Sequence, residues 1–380
     1  MGFLEVDLRV CENLKMYARI SPLLKFVAAI AFALILIDAA VLRSGAYTSW
    51  IEPDSTAGSV VNALALIRHD TDPARRNILV LGNSQIGEGF SWPTADAAAD
   101  RSELHFVNGA VAGTTPRLWN YLLREVDPHA NLFAAVVLMV DYDPSRWRSS
   151  FADYPLDTSY AAPLLRIGDL VEYPESFSDP NLRERARRAI LLPLQAMRDD
   201  ILDFIAHPKK RRTDVLLGRP GWIAATAVYP GHPEALPEMA IDPSTGAPSD
   251  WGAEEAELKP KLEPYFRDLG LRADPNTLAT NIEYQREWVG RIASRYHAQG
   301  VPVIVFNVPR GPWHASLVPP PQPNSALVEL NRSGAVTLLP GDSFVQFEKP
   351  QFFFDTLHMN HAGREAFSTV FAQKIAPLVR

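Results

Sequence analysis

The sequence predicts an α/β protein: a three-layer α/β/α domain on a central parallel sheet, with a mostly helical insertion and an apolar helix ahead of it. Three observations carry the prediction. Short apolar runs of strand length alternate with helical segments, which implies parallel strands covered on both faces. The alternation stops between Asp143 and about Asn276, where Pro, Trp and charge predominate. Near the N-terminus, Leu23 to Leu42 is apolar except for Lys25 and Asp38, a run long enough for a bilayer core.

The N-terminal run comes first. Arg9, Lys15, Arg19 and Lys25 lie before or at its start, and Arg43 just after it. This Lys/Arg excess predicts a cytoplasmic segment 1–22, a transmembrane signal anchor 23–42 and an exported body. The expected place is therefore the inner (cytoplasmic) membrane, single-pass, with the C-terminal domain periplasmic. A cleaved signal peptide fits less well, because the n-region is long and no clean A-x-A site stands out. A buried core helix is the other reading of such a stretch. Asp38 would sit near the outer end of the span. The single cysteine, Cys11, excludes an intrachain disulfide and a Cys-based metal site. It lacks the small residues of a lipoprotein cleavage site and reads as a non-functional thiol.

Residues 43–74 read as a connecting segment with one helical stretch, SVVNALALIRHD. The main domain then covers 75–380. Its first strand is Asn77 to Leu81, nearly continuous in apolar residues, as a strand buried on both faces should be. A second strand starts at Leu104 and runs into the Gly-rich NGAVAG. Pro116 to Val126 has helical spacing with Pro in the first turn. Phe133 to Tyr142 is a third strand. A long helix from Thr277 is closed by Gly300, followed at once by a fourth strand, VPVIVFNVP. A fifth begins at Ala335, and a helix opened by DTLHMNHAG (Asp355 to Gly363) ends the chain. The insertion, about 145–276, holds one strong helical segment broken at Pro193 and the basic run Lys209 to Arg212. That run reads either as a surface for membrane or polyanion or as a solvated helix end.

A net charge of −7 argues against nucleic acid as a partner. The chemistry suggested is different. Ser84 follows the first strand directly. If a helix begins there, its free N–H groups and dipole favour an oxyanion. Ligands of doubly wound sheets bind beyond the carboxyl ends of the strands, where Ser84, Gly113, Asp141 and a loop bearing Asp355 and His358 would meet. Nucleophile, base and orienting acid would then converge. Ser84 and Asp355 could each instead be a helix cap.

Gly82-Asn83-Ser84, the Asn108 to Gly113 turn and the Asp355-x-x-His358 pair with Asn360 and Gly363 resemble the blocks of the SGNH (GDSL-type) hydrolase superfamily. The resemblance covers roughly 75–144 and 277–380. It implies a flavodoxin-like fold and a Ser84–His358–Asp355 triad. It also implies an oxyanion hole from the N–H groups of Ser84 and Gly113. The Asn that normally completes the hole after the third strand is missing from VLMVDYDP, which leaves Asn83 or Tyr142 as the further donor. That strand end is similar to divergent membrane-anchored members found with cell-surface polysaccharide modification, including D-alanyl transfer and polysaccharide O-acetylation proteins. The implied activity is a serine esterase or O-acyltransferase acting on acyl, chiefly acetyl, groups of a glycan. The acyl donor would come through a membrane-bound O-acyltransferase, with no metal or dissociable cofactor. The alternative is a non-catalytic subunit that binds glycan or that acyltransferase. Arg310 is expected either to bind an anionic substrate or to form a surface salt bridge. His314 is expected to line the acceptor pocket or to fill a loop. His361 is expected either in a second catalytic role or, since a triad needs one base, as a polar residue on the surface of the last helix.

Overall fold

The computed structural model describes residues 22–242, 247–252, 255–269 and 271–379. Cys11 and the basic residues of segment 1–22 lie outside the described residues. Five parallel strands form the central sheet: β1 (Arg76–Leu81), β2 (Leu104–Asn108), β3 (Ala135–Met139), β6 (Val303–Phe306) and β7 (Thr337–Leu338). Their order is β2-β1-β3-β6-β7, a doubly wound order whose switch point lies between β1 and β3. The remaining two strands, β4 (Ile241–Asp242) and β5 (Ala247–Pro248), pair antiparallel in the insertion.

The sheet is buried on both faces, and alternate residues of each strand serve opposite layers. Leu79, Leu81, Val136, Leu138 and Val305 join a core with helices α2 (Thr56–Asp70), α5 (Pro116–Val126) and α6 (Pro275–His297). Ile78, Val80, Val137 and Phe306 face the other way. They pack on α3 (Ser84–Gly89), α4 (Trp92–Ala98) and α7 (His361–Ile375) through Ile86, Trp92, Phe367 and Phe371. Segment 43–74 is thus more than a connector. Val60, Leu64 and Ile67 of α2 are part of the first core, and Ser55 caps the helix by accepting from the Gly58 N–H (2.9 Å).

The ladder is shorter than expected at two places. β3 ends at Met139, although Val140 and Tyr142 stay buried beyond it. β7 has only two residues. The last helix starts at His361, and its cap is Asn360, which accepts from the Gly363 N–H (2.9 Å). Asp355 therefore caps no helix.

Ahead of the domain, α1 (Pro22–Ile37) continues through a wider turn to Arg43. Leu24–Arg43 is 20 residues long, wholly unburied, and apolar enough to cross a membrane. Asp38, at its far end, accepts from Arg43 Nε (2.6 Å).

The insertion grips the domain at two levels. Its first part sends Tyr160, Tyr173 and Phe177 into the α5 and α6 layer, where buried Arg117 donates to Asp157 (2.8 Å). In the basic run, Arg211 is buried against Asp200, Asp203 and Glu52, while Lys209 and Arg212 stay exposed.

Candidate active site

The turn between β1 and α3 sets the first side chain. Gly82 sits where a Cβ would fall 2.4 Å from Ile86 Cγ1, so only glycine lets the strand pass this tightly into the helix. Asn83 is the cap, accepting from the Gln85 N–H (2.9 Å). Ser84 then occupies the first helical position, its hydroxyl at the carboxyl edge of the sheet.

The second and third side chains share one loop. Phe353 and Met359 form an antiparallel bridge, and the Asn360 N–H donates to the Phe352 carbonyl (3.0 Å). Asp355 Oδ1 accepts from the N–H groups of Leu357 (2.8 Å) and His358 (2.6 Å). Its Oδ2 lies 2.8 Å from His358 Nδ1. His358 Nε2 lies 2.8 Å from Ser84 Oγ. An ionised carboxylate can only accept, so Nδ1 carries the proton and Nε2 is left to accept from the serine. Burial raises the Asp355 pKa, but hydrogen bonds from His358 and the two backbone N–H groups outweigh it and hold the carboxyl below its ordinary value. The carboxylate is therefore ionised wherever the imidazole needs it.

No protein-family model and no curated protein matches this chain.

An extension of the β1–β2 pairing leads toward Gly113, which lines the same cavity as Asn83. The Gly109 N–H donates to the Val80 carbonyl (2.8 Å) and the Val111 N–H to the Gly82 carbonyl (3.0 Å). Gly113 has φ +70°, and a Cβ there would meet the Tyr160 hydroxyl at 2.8 Å. Among the described residues, the N–H groups of Ser84 and Gly113 have no acceptor, which suits an oxyanion. Asn83, Gly113 and Leu357 line a cavity of about 260 Å³, close to the small end of ligand pockets, roughly 300–1,000 Å³. Trp147, Phe151 and Tyr154 form aromatic wall in it, and Arg146 brings a cation.

Several sequence expectations are corrected here. Tyr142 offers the cavity no donor: its hydroxyl lies 2.9 Å from the Val305 carbonyl and 2.7 Å from that of Leu339 in the core, and its N–H donates to Asn307 Oδ1. Asn83 lines the cavity, so it alone of the two remains placed to donate. Arg310 lines the cavity, but its ion pair is a buried one, not the surface pair expected. It is buried and bonded through Nε and Nη2 to the carboxylate of buried Glu348 (2.8 and 2.7 Å). Arg310→Met is expected to cost about 3–5 kcal/mol of stability by stranding that carboxylate. Denaturant unfolding reads the loss. His314 does not line the cavity; it is buried, with Nδ1 2.9 Å from the Tyr265 hydroxyl. Burial, with Arg146, Arg310 and Arg272 nearby, pushes its pKa down to about 2, so it is a neutral link to the insertion. His361 is exposed on the last helix, as expected, but also takes part in a strap. Its Nδ1 bonds the Pro230 carbonyl (2.6 Å), and its N–H donates to the His232 carbonyl (2.7 Å).

That strap was invisible in the sequence. The Leu236 N–H donates to the Phe353 carbonyl (2.9 Å), and the His232 ring lies 3.8 Å from that of Phe354, which in turn stacks on His358. The Tyr229 hydroxyl bonds Glu88 (2.5 Å). The insertion thus holds the loop that carries Asp355 and His358.

Asp141 follows the third strand by two residues and lines the cavity, with Oδ2 accepting from Trp147 Nε1 (2.6 Å). Burial raises its pKa; Arg146 and the Trp147 hydrogen bond only partly oppose this. The folded state therefore holds this proton to higher pH than the unfolded chain does. Stability must fall as pH rises from the ordinary carboxylate range through the raised value. Asp141→Asn is expected to be more stable than the parent at neutral pH, with the gap closing as pH falls toward 4. Unfolding curves at both pH values check the sign.

Proposed function

We propose that this protein is a membrane-anchored, extracytoplasmic serine esterase or O-acyltransferase of SGNH type, acting on acyl groups of a cell-surface glycan. The observation that carries the reading is the unbroken hydrogen-bonded chain Ser84–His358–Asp355 beside two free backbone N–H groups. The glycan and acyl assignment comes from the resemblance of the sequence blocks, supported by the aromatic walls of a small cavity. The anchor reading comes from the exposed apolar helix and its flanking charges.

Each step uses groups already in position. Ser84 Oγ attacks the acyl carbonyl carbon as His358 Nε2 takes its proton. The carbonyl π pair moves to oxygen, where the N–H groups of Ser84 and Gly113 receive it. Asp355 stabilises the imidazolium and fixes its orientation. Collapse breaks the bond to the leaving alkoxide, which takes the proton from Nε2 and departs as an alcohol. The acyl-serine remains. Water or a sugar hydroxyl, deprotonated by Nε2, then attacks the acyl carbon and releases Ser84 by the reverse sequence. The acceptor decides between hydrolysis and transfer.

The test is acyl-enzyme trapping. Incubation with an activated acetyl ester and rapid acid quench is expected to leave one acetyl group, on the peptide containing Ser84. An acetyl group elsewhere, or none while an organophosphonate also fails to react, rejects the reading. One observation favours a non-catalytic glycan-binding or assembly role alongside a membrane-bound O-acyltransferase. A carboxyl, Asp141, stands where an amide donor completes the oxyanion hole in the resembled family. A protein inert in the trapping experiment yet still holding glycan would support that role.

A further inference from the structure

The helical part of the insertion, 180–227, is fastened to the residues that follow the apolar helix. Arg43 Nη2 donates to the carbonyls of Ile190 (3.0 Å) and Leu191 (2.9 Å). The Tyr47 hydroxyl donates to Asp200 (2.5 Å), and the Phe204 ring packs on Tyr47 and Trp50. Arg219 is buried, and among the described residues no carboxylate is bonded to it. Its nitrogens donate to Asn62 Oδ1 (2.7 Å) and to the carbonyls of Ser49 (2.7 Å) and Ile51 (2.9 Å). These bonds fix the direction in which the helices point.

Beside exposed charged residues such as Glu184, Arg185, Arg188 and Asp199, the outward side also carries large apolar ones. Leu192, Leu202, Ile205, Leu216, Leu217 and Trp222 are 41–71% exposed, with Lys209 and Arg212 exposed among them. A helical layer facing only water would show polar residues there. We propose that this face rests on the bilayer surface. Its Leu and Ile side chains enter the boundary between headgroups and acyl chains, and Trp222 sits at headgroup depth. Lys209 and Arg212 meet lipid phosphates. Continuity decides for lipid. Arg43 closes the apolar helix and so lies at the membrane–water boundary, and the 190–191 backbone is bonded directly to it. Leu192 is then at the same depth. The inference rests on the anchor reading of Leu24–Arg43.

The full chain is used for the test, with Cys11→Ser and a single new cysteine at Ile35, Ile205, Leu217 or Ser333. Each carries an environment-sensitive fluorophore and is reconstituted in nanodiscs of phosphatidylcholine and phosphatidylglycerol. Ser333 is an exposed reference position outside the insertion. Labels at Ile205 and Leu217 are expected to be blue-shifted and quenched by doxyl lipid several-fold more than the label at Ser333, with Ile35 quenched most. Adding Leu216→Glu to the Ile205→Cys chain should weaken that quenching while turnover of a soluble ester is kept. Quenching at Ile35 alone leaves the anchor standing and overturns this proposal, leaving the apolar face for another membrane protein. No quenching at Ile35 removes both.

Discussion

Ser84→Ala is expected to lower kcat for a small activated acetyl ester by about 10⁵–10⁶-fold, with little change in KM. In the proposed mechanism the serine forms the covalent bond, so without it only the oxyanion N–H groups and the cavity would remain, and these would act on water alone. Organophosphonate labelling and acetyl trapping should vanish together. The fold should survive, because among the described residues Ser84 Oγ has one partner, the imidazole of His358, and the turn is held by Gly82 and Asn83. Steady-state kinetics beside an unfolding curve separates lost chemistry from lost structure. Turnover within tenfold of the parent would rule out an acyl-serine.

Asp355→Asn is expected to lower kcat by about 10⁴-fold, and the local hydrogen bonds say why so small a change acts so strongly. Oδ1 of Asp355 accepts two backbone N–H groups, from Leu357 and His358. An asparagine must keep its carbonyl oxygen there, since its NH₂ group cannot accept. The NH₂ then faces His358 Nδ1, which has to accept. The imidazole proton moves to Nε2, and the serine loses its base. Asp355→Ala frees the tautomer but also strands the two loop N–H groups, so it should lose stability as well as rate. Kinetics and unfolding of the pair distinguish the two effects: the Asn variant keeps stability and the Ala variant does not.

The sheet was legible because its strands are buried on both faces, which writes them as continuous apolar runs. The same signal overran the end of β3, since Val140 and Tyr142 are as buried as the strand, although the last ladder bond is the Val140 N–H to the Phe306 carbonyl and the Tyr142 N–H turns to a side chain. The positions of Ser84 and Gly113 could be read from short blocks after strands, and those of Asp355 and His358 from a block ahead of the last helix. The roles of Arg310 and His314 could not. Their environments are set by Glu348 and Tyr265, which are 38 and 49 positions away and share no period or motif with them. The insertion was least legible. Its helices are short, interrupted by Pro193 and Pro208, and take their order from buried arginines such as Arg211 and Arg219 rather than from an apolar stripe.

Asp355 and His358 belong to one small loop closed by its own backbone, whereas Ser84 arrives from 274 positions away. The imidazole and its acid are thus assembled independently of the alcohol they serve. Divergence from such a molecule has a natural direction. A descendant that lost the serine would keep a poised proton acceptor at the rim of its sheet, ready to be turned on a different hydroxyl.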